Sequence, residues 1–217
     1  MDGQLSELRQ ALVSGDIARS AALAKEVLAQ GASPKAVLAE VGAAASAVGE
    51  KYEDGEYFLA NLVRCGDSFK AVITAADPYL KAAGEGQEGR GRVVLATVEG
   101  DIHDIGKNLV LTFLQGDSFV VEDMGVNVSA LALVDKAVEV GADIIALSCL
   151  MSVTRDGVKK VCSELEARGL RDRFAVLVGG AATNERWAKQ IGCDAWASSA
   201  TEGTRVARTL VTIRAEA

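Results

Sequence analysis

The chain has 217 residues, nearly half of them apolar but only 5% aromatic, so its core is built from Ala, Val, Leu and Ile and can fill one large or two small domains. A formal charge of −7 argues against nucleic acid as a main partner, because phosphate binding needs a basic surface. The polar start MDGQLSELRQ lacks the apolar run of a signal peptide, and no stretch approaches the roughly 20 apolar residues of a membrane span, so a cytoplasmic protein without membrane contact is expected.

The first 84 residues carry a helical period. Leu5, Leu8 and Leu12 share one face of a short helix. Asp16 is placed to N-cap a second helix with Ile17, Ala21, Ala24, Val27 and Leu28 inward, and Gly31 to stop it. Ser33-Pro34 reads as N-cap and first position of a third helix with Val37, Leu38, Val41, Ala45 and Val48 inward. Phe58, Leu62, Cys65, Phe69, Val72 and Ile73 form a fourth stripe, which Pro78 should kink or end. Residues 1–84 thus predict a four-helix bundle, and the glycine-rich, polar residues 85–91 predict a flexible linker.

From residue 92 the period changes. RVVLATV (92–98), FVVEDMG (119–125), DIIALS (143–148), FAVLVGG (174–180) and DAWAS (194–198) read as strands. Helical patterns at 105–116, 129–140, 153–168, 183–191 and 201–214 separate them. Alternation of this kind predicts an α/β domain over 92–217: a flavodoxin-like (Rossmann-like), doubly wound, five-stranded parallel sheet. Such sheets bind ligands beyond the carboxyl ends of their strands. Residues 99–104 fall in the first β–α loop at that edge, and they contain His103, the only histidine.

A lone histidine most often only hydrogen-bonds within its loop, but this one has converging neighbours. Ser148, Ser152 and Thr154 follow the third strand, and Gly179-Gly180 end the fourth. A phosphate loop is ruled out because five residues separate Gly100 from Gly106 and Asn108 follows Lys107. No GxGxxG follows the first strand, and a zinc enzyme would need about three protein ligands. Cys65, Cys149, Cys162 and Cys193 are scattered without a CxxC pair and read as bland thiols. A single protein ligand suffices where a macrocycle supplies four in-plane nitrogens, and Asp101 could then fix the tautomer of His103.

DIHDIG (101–106) fits the Asp-x-His-x-x-Gly signature of cobalamin-binding domains, with Ser148-Cys149-Leu150 as the Ser-x-Leu element and Gly179-Gly180 as the Gly-Gly element. VGEKYEDGEYFLANLV (48–63) resembles the helical cap that precedes this domain in methionine synthase and in corrinoid methyl-carrier proteins. The resemblance covers nearly the whole chain.

It implies cobalamin bound base-off, with His103 as lower axial ligand to cobalt. Asp101 and Thr154 would form a relay behind His103, and Gly100, Ile102, Asp104, Ile105 and Gly106 would complete its loop. Ser148, Leu150 and Ser152, Gly179 and Gly180, and Ala181 and Ala200 would line the slot for the nucleotide tail. Phe58, Leu62 and Cys65 would pack over the upper face and shield a cobalt-bound methyl, although Ala60 stands where many carriers have proline. The implied function is a methyl shuttle through methyl-Co(III) and Co(I), not catalytic alone. Its partners would be a substrate-specific methyltransferase, a methylcorrinoid:acceptor methyltransferase and a reductive activator of Co(II). The alternatives are the cobalamin subunit of a radical mutase, usually without this bundle, and a cobalamin-dependent sensor, usually with a DNA-binding element.

Overall fold

Local signals set the helices at the N-terminal end of a computed structural model that describes residues 2–82 and 89–215, so residues 85–88 of the expected linker lie outside the described residues. The helices are α1 (Asp2–Ser14), α2 (Ile17–Ala29), α3 (Pro34–Glu53) and α4 (Leu59–Ala82). Asp16 caps α2 by accepting from the Arg19 N–H at 3.0 Å. At the other end Gly31, at φ 89°, donates to the Leu28 carbonyl, and Ala32 donates to that of Val27. These two bonds make a Schellman ending, which needs a residue free to take positive φ. Ser33 occupies the cap position of α3 but makes no side-chain capping bond, so the preset φ of Pro34 starts that helix.

Three expectations are corrected here. Pro78 does not end α4, which runs on to Ala82. Val72 and Ala76, both fully buried, hold the preceding turns, and their packing outweighs the roughly 3 kcal/mol cost of one interior proline. Phe58 is not part of the inward stripe: it precedes α4 and is 70% exposed. Its backbone N–H donates to Asn61 Oδ1 at 2.9 Å, the side-chain half of a capping box. Ile17, at the first position of α2, is likewise exposed.

The chain divides into two compact units. One holds α1–α4 together with Thr112–Ser118, and the other holds residues 89–111 and 119–217. The core of the helical unit combines aliphatic side chains, Leu8, Leu12, Val27, Val37, Val41 and Val48, with the buried edge-on ring pair Phe69 and Phe113.

From Arg92 onward strands and helices alternate: β1 (Arg92–Thr97), α5 (Ile105–Gly116), β2 (Val120–Asp123), α6 (Ala130–Val140), β3 (Ile144–Ser148), a 3-10 turn (Ser152–Thr154), α7 (Arg155–Ala167), β4 (Ala175–Gly179), α8 (Glu185–Gln190), β5 (Ala195–Ala197) and α9 (Ala200–Ala215). All strand pairs are parallel and the order is β2-β1-β3-β4-β5. This is the flavodoxin-like winding, whose switch point lies between β1 and β3. Val94, Ala96, Ile145, Leu147, Val176 and Val178 face α6 and α7 across one core, with Leu133, Val134, Val158 and Val161 opposite. The register aligns Thr97, Ser148, Gly179 and Ala197 in one row at the carboxyl edge. Among the described residues no helix is long and apolar enough to cross a membrane.

One contact fixes how closely α7 approaches β1. A Cβ on Gly157 would stand 2.9 Å from Val98 Cβ and 3.4 Å from the Glu99 nitrogen. Gly157→Ala is therefore expected to lower stability by about 1–2 kcal/mol in urea unfolding, despite the better helix propensity of alanine.

Candidate functional site

The β1–α5 loop is tied down before any functional group is placed on it. The Thr97 hydroxyl, fully buried at the end of β1, donates to the His103 carbonyl at 2.9 Å. Asn127, itself at φ 55°, donates its N–H to the Asp101 carbonyl at 3.0 Å and accepts from the Gly100 N–H at 2.7 Å through Oδ1. Gly100 turns the chain at φ 83°, with Thr154 Cγ2 at 3.4 Å from where a Cβ would sit. Lys107, almost wholly buried, pairs with Asp123 at 2.7 and 2.8 Å and donates to Asn108 Oδ1 at 2.8 Å, anchoring the first turn of α5 beside β2.

Asp101 is the hub. Its carboxylate is fully buried and accepts five hydrogen bonds. Oδ1 takes His103 Nδ1–H at 2.7 Å and the His103 backbone N–H at 3.1 Å. Oδ2 takes the N–H groups of Leu150 at 2.8 Å and Met151 at 3.2 Å, and lies 3.0 Å from Thr154 Oγ1. Burial by itself would push this carboxyl's pKa up. The bonds from His103, Leu150 and Thr154 overcome that and hold it at about 2. Asp101 is thus an ionised acceptor at neutral pH, so His103 Nδ1 carries a hydrogen, and in the neutral ring the lone pair is on Nε2. The His103 side chain is 46% exposed.

Several large apolar side chains are left open on the same loops: Ile102, Ile105, Leu150 and Val153, the last 83% exposed. Leu150 and Val153 belong to the β3–α7 loop, which the Asp101 carboxylate binds to the histidine loop. An aqueous histidine with an apolar surround fits a ligand that is flat, largely apolar and metal-bearing. Among the described residues no group of three or more His, Cys, Asp or Glu could hold a metal ion. A metal at Nε2 must therefore bring most of its own ligands, as a corrinoid does with its four ring nitrogens.

The remaining expected residues fall in two places. Asp104 is exposed beside them and accepts from Asn108 N–H at 2.8 Å, opening α5, while a Cβ on Gly106 would meet nothing within 4 Å. Ser148 is half-buried in the edge row, Ser152 exposed in the 3-10 turn, Ala181 exposed after β4, and Ala200 buried at the start of α9. Gly179 and Gly180 have a reason internal to the fold. A Cβ on Gly179 would lie 3.0 Å from the Ala197 carbonyl oxygen, and one on Gly180 only 2.2 Å from that of Cys149. In the helical unit, Leu62 and Cys65 are interior. The Cys65 thiol donates to the Val13 carbonyl at 3.3 Å, and burial raises its pKa to about 11. Leu59 and Val63 are exposed beside Phe58 instead.

Sequence reasoning did not single out Thr97, Asn127, or the backbone N–H groups of Leu150 and Met151. A threonine ending an apolar strand was the available signal for the first. The backbone groups carry no side-chain signature.

Comparison with known proteins gives a consistent result. The family model described as "B12 binding domain" matches residues 91–207, and a second model of the same description matches residues 4–76. The chain is 38% identical over 209 residues to the dimethylamine corrinoid protein of Methanosarcina barkeri, covering 95% of this chain and 97% of that protein. The crystal structure of a cobalamin-binding protein from Desulfitobacterium hafniense is similar, with TM-score 0.78, 30% identity and coverage of 95% and 98%. The methanol:cobalamin methyltransferase complex of Methanosarcina barkeri shares the fold, with TM-score 0.83 at 22% identity, covering 97% of this chain and 80% of that one.

Proposed function

Since the chain belongs to the B12-binding domain family and binds a corrinoid, we propose that it is a cytoplasmic methyl carrier whose His103 Nε2 is the lower axial ligand to cobalt. The observation that carries this reading is the exposed imidazole, its Nδ1–H held by a buried, ionised Asp101. Bound cobalamin supplies a cobalt that accepts a methyl group and gives it up.

The protein's part is to hold and tune. Asp101 fixes the ring's tautomer and direction, so that Nε2 faces the open edge. Thr154 Oγ1, Asp101 and His103 Nδ1 form one hydrogen-bonded chain. Drawing the Nδ1 proton toward Asp101 makes Nε2 a stronger donor, whereas a proton placed on Nε2 removes its lone pair and frees the ligand. Ile102, Ile105, Leu150 and Val153 offer an apolar bed for the corrin. Ser148, Ser152, Gly179, Gly180, Ala181 and Ala200 receive the nucleotide tail, with the cofactor's own base off cobalt. Phe58, Leu59 and Val63 are apolar side chains that the helical unit leaves exposed.

The relatives support the partners. One is a substrate-specific methyltransferase that loads the methyl group, as the names of the dimethylamine and methanol proteins suggest. A second methyltransferase passes it to an acceptor, and a reductive activator restores the cofactor after oxidation.

Reduced, hydroxocobalamin-loaded chain is expected to be methylated by methyl iodide, and by an amine or methanol donor only when the matching methyltransferase is added, as read by the corrinoid's absorption change. A loaded chain that accepts no methyl from any of these contradicts the proposal. His103→Gly is expected to retain the corrinoid with the absorption of a base-off form; a spectrum identical to wild type would remove His103 from the cobalt.

A further inference from the structure

Cys162 and Cys193 take no part in the site described above. Cys162 lies on the third turn of α7 and Cys193 in the turn between α8 and β5. Both are buried, at 3% and 8% exposure, and their sulfurs stand 3.9 Å apart. The chain around Cys193 is pinned on both sides by one cation. Arg171 Nη2 donates to the Gly192 carbonyl at 2.5 Å and pairs with Asp194 Oδ2 at 2.9 Å, while its Nη1 donates to the Phe174 carbonyl at 3.2 Å. The Cys193 N–H donates to Ala188 at 3.0 Å, and Asp194 is bound to Val176 through both its N–H and its carboxylate. Cys193 is thereby held facing Cys162. A disulfide needs an S–S distance of about 2.0 Å, a closure of roughly 1.9 Å from the observed separation.

We propose that Cys162 and Cys193 are a reversible disulfide site, oxidised by peroxide and independent of the corrinoid site. Either sulfur can donate to the other; when Cys193 donates, that bond and the nearby Arg171 guanidinium hold the Cys162 thiol below its ordinary pKa against the effect of burial. The same bond and burial raise Cys193. Cys162 is thus the attacking thiolate and Cys193 the resolving thiol. The Cys162 thiolate attacks one peroxide oxygen, the O–O bond breaks, and a sulfenic acid and hydroxide form. Cys193 sulfur then attacks the sulfenic sulfur, the S–O bond breaks, and its oxygen leaves as water. Two thiols and one hydrogen peroxide give one disulfide and two waters, with peroxide as the oxidant. The bond would close a loop, from 162 to 193, that contains β4 and the Gly179-Gly180 turn.

The full chain, without corrinoid, is treated with hydrogen peroxide and weighed, and a second portion is denatured, alkylated and mapped. The expected result is a loss of about 2 Da that dithiothreitol reverses. Two cysteines rather than four should then be alkylated, with 162 and 193 joined in the peptide map. Closing the loop should also raise Tm by about 5–10 °C. Cys193→Ala should show no such mass loss. An unchanged mass, a gain of oxygen at Cys162 in the wild-type chain, or a bridge through Cys65 or Cys149 overturns the proposal. Because no cofactor is present, none of these outcomes bears on the methyl-carrier reading.

Discussion

Gly180→Ala is expected to yield no stably folded protein. The residue sits at φ 114°, where L side chains are strained, and its Cβ would lie 2.2 Å from the Cys149 carbonyl oxygen, 2.7 Å from its carbon and 3.0 Å from its nitrogen. All three obstacles are backbone atoms of the neighbouring loop, so no rotamer change relieves them. Cys149 N–H also donates to the Gly179 carbonyl, which locks the two loops in register. Strain and overlap together should cost at least about 4 kcal/mol, a large share of a domain's stability. Gly106→Ala, with open space around its Cβ, is the control and should change stability by less than about 1 kcal/mol. Soluble yield and thermal unfolding followed by circular dichroism decide the matter. A Gly180→Ala chain that unfolds within a few degrees of wild type would contradict the geometry.

The second large effect is expected at Asp101. Asp101→Ala leaves the N–H groups of Leu150 and Met151 and the Nδ1–H of His103 without their acceptor. Removing the acceptor from several buried donors should cost about 3–5 kcal/mol in urea unfolding. The histidine would also lose the bond that fixes its tautomer, so corrinoid binding should weaken along with stability. The same carboxylate gives a pH signature. Its pKa falls from 3.8 to about 2 on folding, so it contributes about 2 kcal/mol that is fully present above pH 4 and is lost as pH falls toward 2. Wild-type stability should therefore drop more steeply between pH 4 and 2 than that of Asp101→Ala. Parallel curves would contradict the assignment.

Why these two positions matter was only partly legible in the sequence. The change of period at residue 92 exposed the α/β unit, because strands buried on both faces read as continuous apolar runs, and β1, β3 and β4 lie within one residue of the expected ends. DIHDIG, the Ser-x-Leu triplet and Gly-Gly marked three loops of one edge. What they do to one another was not legible. Leu150 reaches Asp101 through its backbone N–H, which no side-chain pattern announces. Gly180 is also required by the Cys149 backbone, a reason that the sequence does not show. Such contacts depend on sheet register, which no local pattern encodes. In the helical unit the same gap appears at Phe58: its spacing fits the stripe of α4, but Asn61 caps the helix at Phe58 and so leaves the ring outside. At Pro78, expected to kink or end the helix, the ending does not occur, because tertiary packing carries α4 on to Ala82.

The proposed bond between His103 and cobalt can be tested directly, because the chain contains one histidine. Protein labelled with ¹⁵N only at histidine, loaded with cobalamin and reduced to Co(II), should give electron paramagnetic resonance lines split into doublets by one ¹⁵N nucleus, against triplets from the unlabelled chain. Triplets that persist after labelling would place the cofactor's own base on cobalt, and unsplit lines would leave the metal without an axial nitrogen; either result contradicts the account.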